Sequence, residues 1–285
     1  MNPITMKLVV DDLILQALRE DITFEDVSTA SVCPTARPAT VELIAKADGI
    51  IAGLDVFART FELLDPQSSV LFDVADGDEV HAGDHVGQVR GDARVLLSGE
   101  RVALNYLQRM SGIATYTREV ANLLAGSKTK LLDTRKTTPG MRVLDKMAVK
   151  LGGGENHRMG LFDMILLKDN HIDFAGGIVP AIRGAKQYLR ERDKNIPIEC
   201  EVRTLEDIDL VFEAGGVDRI MFDNFSPEMT RKAVEKVAGR CETESSGGIT
   251  LDTLRTYAET GVDFISVGAL THQIRSLDMS LKACE

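Results

Sequence analysis

Three short blocks hold the side chains best suited to chemistry. They read Asp-Thr-Arg-Lys-Thr-Thr-Pro-Gly (133–140), Gly-Gly-Gly-Glu-Asn-His-Arg-Met-Gly-Leu (152–161) and Leu-Leu-Lys-Asp-Asn-His (166–171). Residues 130–171 contain eight Lys/Arg and two His against five Asp/Glu, in a chain whose formal net charge is −11. A single Arg-Lys pair is ordinarily a solvated surface feature. Three cationic blocks, each following or ending a short apolar run, instead predict one pocket for a small, multiply anionic ligand. Its candidates are Arg135, Lys136, His157, Arg158 and Lys168. The planar fork of arginine suits bidentate recognition of carboxylate or phosphate, and lysine adds a compact charge.

Two acids and two glycine-bearing turns supply the other half of a site. Glu201 and Asp223 follow apolar strand residues and are placed to face ribose hydroxyls, hold Mg²⁺, or stabilise a cationic sugar transition state. Ser246-Gly247-Gly248 precedes the N-cap candidate Thr250, and Gly268 opens Gly-Ala-Leu-Thr after the last strand. Glycine permits close backbone approach, and N–H groups at a helix start favour a phosphate. His171 and His272 read as structural or supporting residues, because no zinc-like spacing surrounds them.

These residues need a scaffold that brings many strand ends together. Strand patterns recur at Lys130–Asp133, Ala148–Leu151, Met164–Leu167, Ile198–Val202, Arg219–Phe222, Cys241–Glu244 and Phe264–Val267. Helical patterns at Val179–Arg192, Leu205–Ala214, Pro227–Val237 and Leu251–Glu259 lie between most of them. This alternation predicts a parallel sheet in a closed or nearly closed α/β barrel, with its site at the carboxyl ends of the strands. Asp133, Lys168, Glu201, Asp223, Ser246 and Gly268 all end strands. The first hundred residues follow a different pattern. An amphipathic helix over Val9–Leu18, strands at Val41–Ala45, Ile50–Ala52, Val70–Val74 and Arg94–Leu97, and a helix over Leu54–Leu64 predict an α+β module with a small antiparallel sheet. A long helix from Ser98 to Leu124, weakened at Gly112, leads into the barrel.

Composition narrows the function classes. With 44% hydrophobic and 27% charged residues over 285 positions, the chain reads as globular, with one large domain or two ordinary ones. No apolar run reaches the roughly 18 residues of a membrane span, and the start lacks the basic and small-residue pattern of a signal peptide. The acidic balance argues against nucleic-acid binding. Cys33, Cys200, Cys241 and Cys284 are widely spaced, which predicts a reducing, cytoplasmic setting.

The ordered motifs resemble a known family. Asp-Thr-Arg-Lys-Thr-Thr-Pro-Gly (133–140), Asn-His-Arg-Met-Gly-Leu-Phe-Asp (156–163), Leu-Leu-Lys-Asp-Asn-His-Ile (166–172), Glu-Cys-Glu-Val (199–202), Phe-Asp-Asn-Phe (222–225) and Ser-Ser-Gly-Gly-Ile-Thr (245–250) closely resemble quinolinate phosphoribosyltransferases, across essentially the whole chain. Ser245 and Cys200 depart from the commoner Ala and Val without touching an expected ligand group.

The resemblance implies an N-terminal sandwich-like α+β domain over residues 1–112, with a tail of about 274–285 packed against it, and an incomplete α/β barrel of fewer than eight strands over 113–273. It implies transfer of a phosphoribosyl group to quinolinate with decarboxylation, giving nicotinate mononucleotide for NAD biosynthesis. Arg101, Thr134, Arg135, Lys136, His157, Arg158 and Lys168 would bind quinolinate, with Arg101 coming from the neighbouring subunit of a homodimer. Glu201 and Asp223 would face the ribose and a Mg²⁺ held mainly through substrate. Ser246, Gly247, Gly248 and Gly268 would hold the phosphate end of phosphoribosyl pyrophosphate. Lys136, Lys168, Glu201 and Asp223 would be the catalytic residues. A pyrophosphorylase-like group linked to molybdenum transport shares the Arg-Lys-Thr and His-Arg motifs, but the intact Lys168–His171 block argues against it. A non-catalytic anion binder would have no use for Glu201 and Asp223.

Overall fold

The computed structural model describes residues 2–284, which form two compact units. The first comprises 2–118, 138–153 and 273–284, and the second comprises 119–137 and 154–272.

The first unit is built on a four-stranded antiparallel sheet of β1 (Pro38–Ala45), β3 (Ser69–Phe72), β5 (His85–Asp92) and β12 (Met279–Ala283), in the order β12-β1-β5-β3. The short strands β2 (Gly49–Ile50) and β4 (Glu79–Val80) form a separate pair. The helix Leu54–Leu64 sends Phe57 and Phe61 into the core, their rings meeting edge to face at 5.3 Å. They pack with Leu43, Val86, Leu104 and Leu107, all fully or almost fully buried. Each such side chain contributes about 1.5–3 kcal/mol by leaving water. The C-terminal tail joins the sheet: Leu43 pairs with Leu281 and Ala45 with Met279.

Three sequence expectations differ here. Arg94–Leu97 is not a strand but the start of the helix Ala93–Leu123, which the N-cap-like Asp92 introduces by accepting from the Arg94 N–H at 3.0 Å. That helix runs unbroken past Gly112, whose bare Cα lets the carbonyl of Arg275 approach. Ala148–Leu151 is the end of the helix Arg142–Leu151, which buries Leu144, Ala148 and Val149 on one face. Segment 138–153 belongs to the first unit because Arg109 grips Asp145 at 3.1 Å and Arg118 donates to the Gly152 carbonyl at 3.1 Å.

The second unit is a six-stranded parallel sheet of β6 (Lys130–Leu132), β7 (Ile165–Leu167), β8 (Ile198–Val202), β9 (Arg219–Asp223), β10 (Glu242–Ser246) and β11 (Phe264–Ser266), in the order β6-β11-β10-β9-β8-β7. The barrel is therefore incomplete, with β6 and β7 as its edges. Part of the gap is filled at the β6 edge, where Glu155 forms a parallel bridge with Leu132, its N–H donating to the Leu131 carbonyl at 2.7 Å. The intervening helices start where their sequences specify. Thr204 and Asp207 cap the helix Leu205–Ala214 reciprocally, and Ser226 with Pro227 at the first position starts Pro227–Val237. Among the described residues no helix is long and apolar enough to cross a membrane.

Candidate active site

The carboxyl ends of the six strands open on a cavity of about 590 Å³ in the second unit. Thr134, Arg135, Lys136, His157, Arg158 and Lys168 line one part of it; Glu201, Asp223, Ser246, Gly247 and Gly248 line another. Gly268 touches the same group: a Cβ there would sit 2.9 Å from Lys136 Cδ and 3.0 Å from His272 Nε2. Arg101 is not among these lining residues; it belongs to the first unit and is exposed on the helix Ala93–Leu123.

Asp133 shapes the cationic wall. It directly follows β6, fully buried, and its two oxygens accept from the His157 N–H at 2.8 Å and from Asn156 Nδ2 at 2.7 Å. The Asn-His-Arg segment is thus tied to the strand that carries Arg135. Arg158 is 8% exposed and donates to the Met164 carbonyl at 3.2 Å. Burial and the nearby Arg135 both lower its pKa. Arg135 Nε is buried and makes no hydrogen bond. Two guanidiniums crowded in this way are costly unless an anion joins them. Lys136 and Lys168 are the exposed members. Asp163 closes the following loop by accepting from the N–H groups of Met159 and Gly160.

The acidic wall follows from strand alternation. Glu199 and Glu201 lie on one face of β8, as do Met221 and Asp223 on β9, and Glu244 and Ser246 on β10. Burial, then the charge of Asp223, push Glu201 above the usual carboxylate range, with Lys168 opposing. The turn beside Ser246 is built by Asn224, a residue with left-handed backbone (φ 56°) whose N–H donates to the Ser246 carbonyl at 2.9 Å and whose side chain donates to Asp223 at 3.0 Å. Gly247 has φ 92°, and any Cβ on it would strike the Asn224 side chain. Ser266 donates to Ser246 Oγ at 3.0 Å.

Sequence reasoning did not single out Glu199, Glu244 or Asn224. Glu199 and Glu244 are fully buried, within 3.0 and 3.4 Å of His157 Nε2. The Glu-x-Glu spacing at 199–201 and 242–244 was the available signal. His171 caps the helix Asp169–Ala175 by accepting the Lys168 N–H at 3.1 Å, a structural role.

Residues 21–111 match the family model described as quinolinate phosphoribosyl transferase, N-terminal domain, and residues 113–282 match its C-terminal domain. The chain belongs to the quinolinate phosphoribosyltransferase family. It is 42% identical over 281 residues to a probable nicotinate-nucleotide pyrophosphorylase [carboxylating] of Bacillus subtilis, covering 99% of this chain and 94% of that one. It is 45% identical to the chloroplastic nicotinate-nucleotide pyrophosphorylase [carboxylating] of Arabidopsis thaliana, over 93% of this chain and 80% of the relative. The solved structure of NadC from Streptococcus pyogenes superposes with a TM-score of 0.92 at 40% identity, covering 100% of this chain and 99% of that one.

Proposed function

We propose that this chain transfers the phosphoribosyl group of phosphoribosyl pyrophosphate to the ring nitrogen of quinolinate and releases CO₂ and pyrophosphate, leaving nicotinate mononucleotide for NAD biosynthesis. Family membership supports the reaction. The single observation that carries it to this cavity is the pairing of walls: guanidiniums in need of anions face two carboxylates across one space.

Arg135, Arg158, His157, Lys136 and Lys168 orient the pyridine dicarboxylate, with Thr134 beside them. Holding the ring nitrogen against the anomeric carbon converts a bimolecular encounter into an ordered one. As the bond to pyrophosphate breaks, positive charge develops on the ribose, and Glu201 and Asp223 stabilise it electrostatically. The alkylated ring nitrogen then draws the electron pair left when the 2-carboxylate departs as CO₂, and a proton takes its place. Ser246, Gly247, Gly248 and Gly268 cradle the phosphate end, where glycine leaves backbone N–H groups open to it.

Mg²⁺ fits this donor set. Glu201 and Asp223 are hard oxygen donors, and burial, then the charge of Asp223, raise Glu201, a cost that a cation would relieve. Held mainly through the pyrophosphate oxygens beside these two carboxylates, the ion would supply neutralisation of the leaving group. A homodimer with Arg101 supplied by the neighbouring subunit follows the family pattern and is supported by the exposure of Arg101 outside this cavity's lining. Four free cysteines support a reducing, cytoplasmic location.

The test is direct. The protein is incubated with quinolinate, phosphoribosyl pyrophosphate and Mg²⁺, and nicotinate mononucleotide and CO₂ are quantified. Equimolar products that disappear with chelator are expected; quinolinate left unconsumed would overturn the reading.

A further inference from the structure

The loop that carries Arg135 and Lys136 leaves β6 at an edge of the open barrel, with β11 as its neighbour in the sheet. Leu132 is in register with Ser266, and one step beyond both strands the Val267 N–H still donates to the Leu132 carbonyl at 2.9 Å. From there the chain turns through Gly268 into the short helix Ala269–His272 and meets the β6 loop again. Thr271, fully buried, donates its hydroxyl to the Lys136 carbonyl at 2.9 Å, across 135 positions of sequence. The Gly268 carbonyl of its own turn is the longer alternative, at 3.2 Å. On the other side of the same residue, the Lys136 N–H donates to Thr134 Oγ1 at 3.0 Å.

We propose that Thr271 is a positioning residue for Lys136: its hydroxyl fixes the backbone from which that lysine reaches the cavity, and so sets the ammonium against the carboxylates of the pyridine substrate. What the ammonium meets rests on the phosphoribosyl-transfer reading above; the hold on Lys136 does not.

Lys136 needs such a hold. It is exposed and lies outside any helix or strand, so no ladder fixes its backbone. Its flexible stem multiplies at Nζ any error in the position of Cα, and small misplacements of a substrate-orienting charge are costly. Two threonine hydroxyls take the place of the ladder, one on the N–H and one on the carbonyl of the same residue. Gly268 serves the same end. A Cβ there would sit 2.9 Å from Lys136 Cδ, so the bare Cα leaves the stem its path. Thr271 is not among the residues lining the cavity, which lets its hydroxyl act on substrate through Lys136 rather than directly. Thr134 does line the cavity; with its oxygen accepting from Lys136, its own proton is available to an incoming carboxylate.

The experiment uses the full-length protein and four variants: Thr271→Val, which removes the hydroxyl at nearly constant volume, Thr271→Ser, which keeps it, Lys136→Ala, and Lys136→Ala combined with Thr271→Val. Quinolinate affinity is measured by calorimetry, and steady-state kinetics gives KM and kcat. Thr271→Val should weaken quinolinate binding by about 3- to 10-fold, the effect of one lost hydrogen bond, with KM rising more than kcat falls. Thr271→Ser should restore the wild-type values. In the Lys136→Ala background the valine change should add less than about 2-fold, because its effect runs through the lysine that is already gone. Thr271→Ala replaces Thr271→Val if the latter does not fold. Equal losses from the valine change with and without Lys136, wild-type affinity in the folded Thr271→Val protein, or a serine variant as weak as the valine one would each overturn the proposal. If the wild type binds no quinolinate, the functional reading fails, and deuterium exchange at the amides of Lys136 and Thr137 decides the positioning. Thr271→Val should speed exchange there while the rest of the chain keeps its wild-type rates; unchanged exchange would sink it.

Discussion

Arg135 and Arg158 carry most of the electrostatic tension in this pocket. Arg158 is nearly buried beside a like charge, and Arg135 keeps a buried Nε without an acceptor. A bound anion would relieve it. Across the cavity the same logic applies with opposite sign to Glu201, raised by burial and by Asp223. If these acids stabilise a ribosyl cation, Glu201→Gln and Asp223→Asn should each lower kcat by about 10²-fold while quinolinate binding survives. Steady-state kinetics with a parallel quinolinate titration checks this, and unchanged kcat in both variants would reject the role. The cationic residues were legible in the sequence because three basic blocks interrupt an acidic chain. Glu199 and Glu244 were not. A glutamate in a strand ordinarily faces water, and only the register of β8, β9 and β10 shows these two turned inward onto His157. Asn224 escaped for another reason: its role lies in its left-handed backbone, which residue type alone does not announce.

The elements position these residues through short strands and tight turns. The turn after β10 depends on Gly247, whose backbone (φ 92°) and missing Cβ accommodate the Asn224 side chain. Gly247→Ala should displace Asn224, and with it the hydrogen bond to Asp223, raising KM for phosphoribosyl pyrophosphate by about 10-fold or more while leaving quinolinate affinity near wild type. Equal KM values in the two proteins would show that this turn does not hold the phosphate end. Leu205–Ala214 and Pro227–Val237 have the bounds expected from their helical patterns, and the structure adds Thr204 and Ser226 as the caps that start them. The misreadings share one cause. Ala148–Leu151 and Arg94–Leu97 are four-residue stretches with three apolar positions each, too short to distinguish a period of 2 from one of 3.6. Each belongs to a longer helix whose other buried positions settle its type, such as Leu144 in the first. The strand expected at Ala148–Leu151 is absent, and the Glu155 bridge lies at the β6 edge of the open barrel.

For the whole molecule the net charge is −11, so the basic side chains gathered in one cavity are a local exception to an acidic balance that favours an anion there. Under the proposed shared-site dimer, Arg101, exposed in the first unit, would complete a neighbouring subunit's site. Arg101→Ala and Lys136→Ala should each be nearly inactive, and mixing them should restore activity to at most about half per mixed dimer, because one of its two sites is then intact. Verified subunit exchange without recovery would place Arg101 within its own chain's site. The basic wall of the cavity fits a pyridine bearing two carboxylates. The measurement that tests it most directly is kcat/KM for quinolinate against nicotinate, each with saturating phosphoribosyl pyrophosphate and Mg²⁺. Nicotinate lacks the 2-carboxylate and would leave buried cations unpaired, a loss of several kcal/mol, so quinolinate should be preferred by about 10²-fold or more. Comparable values for the two substrates would contradict the account.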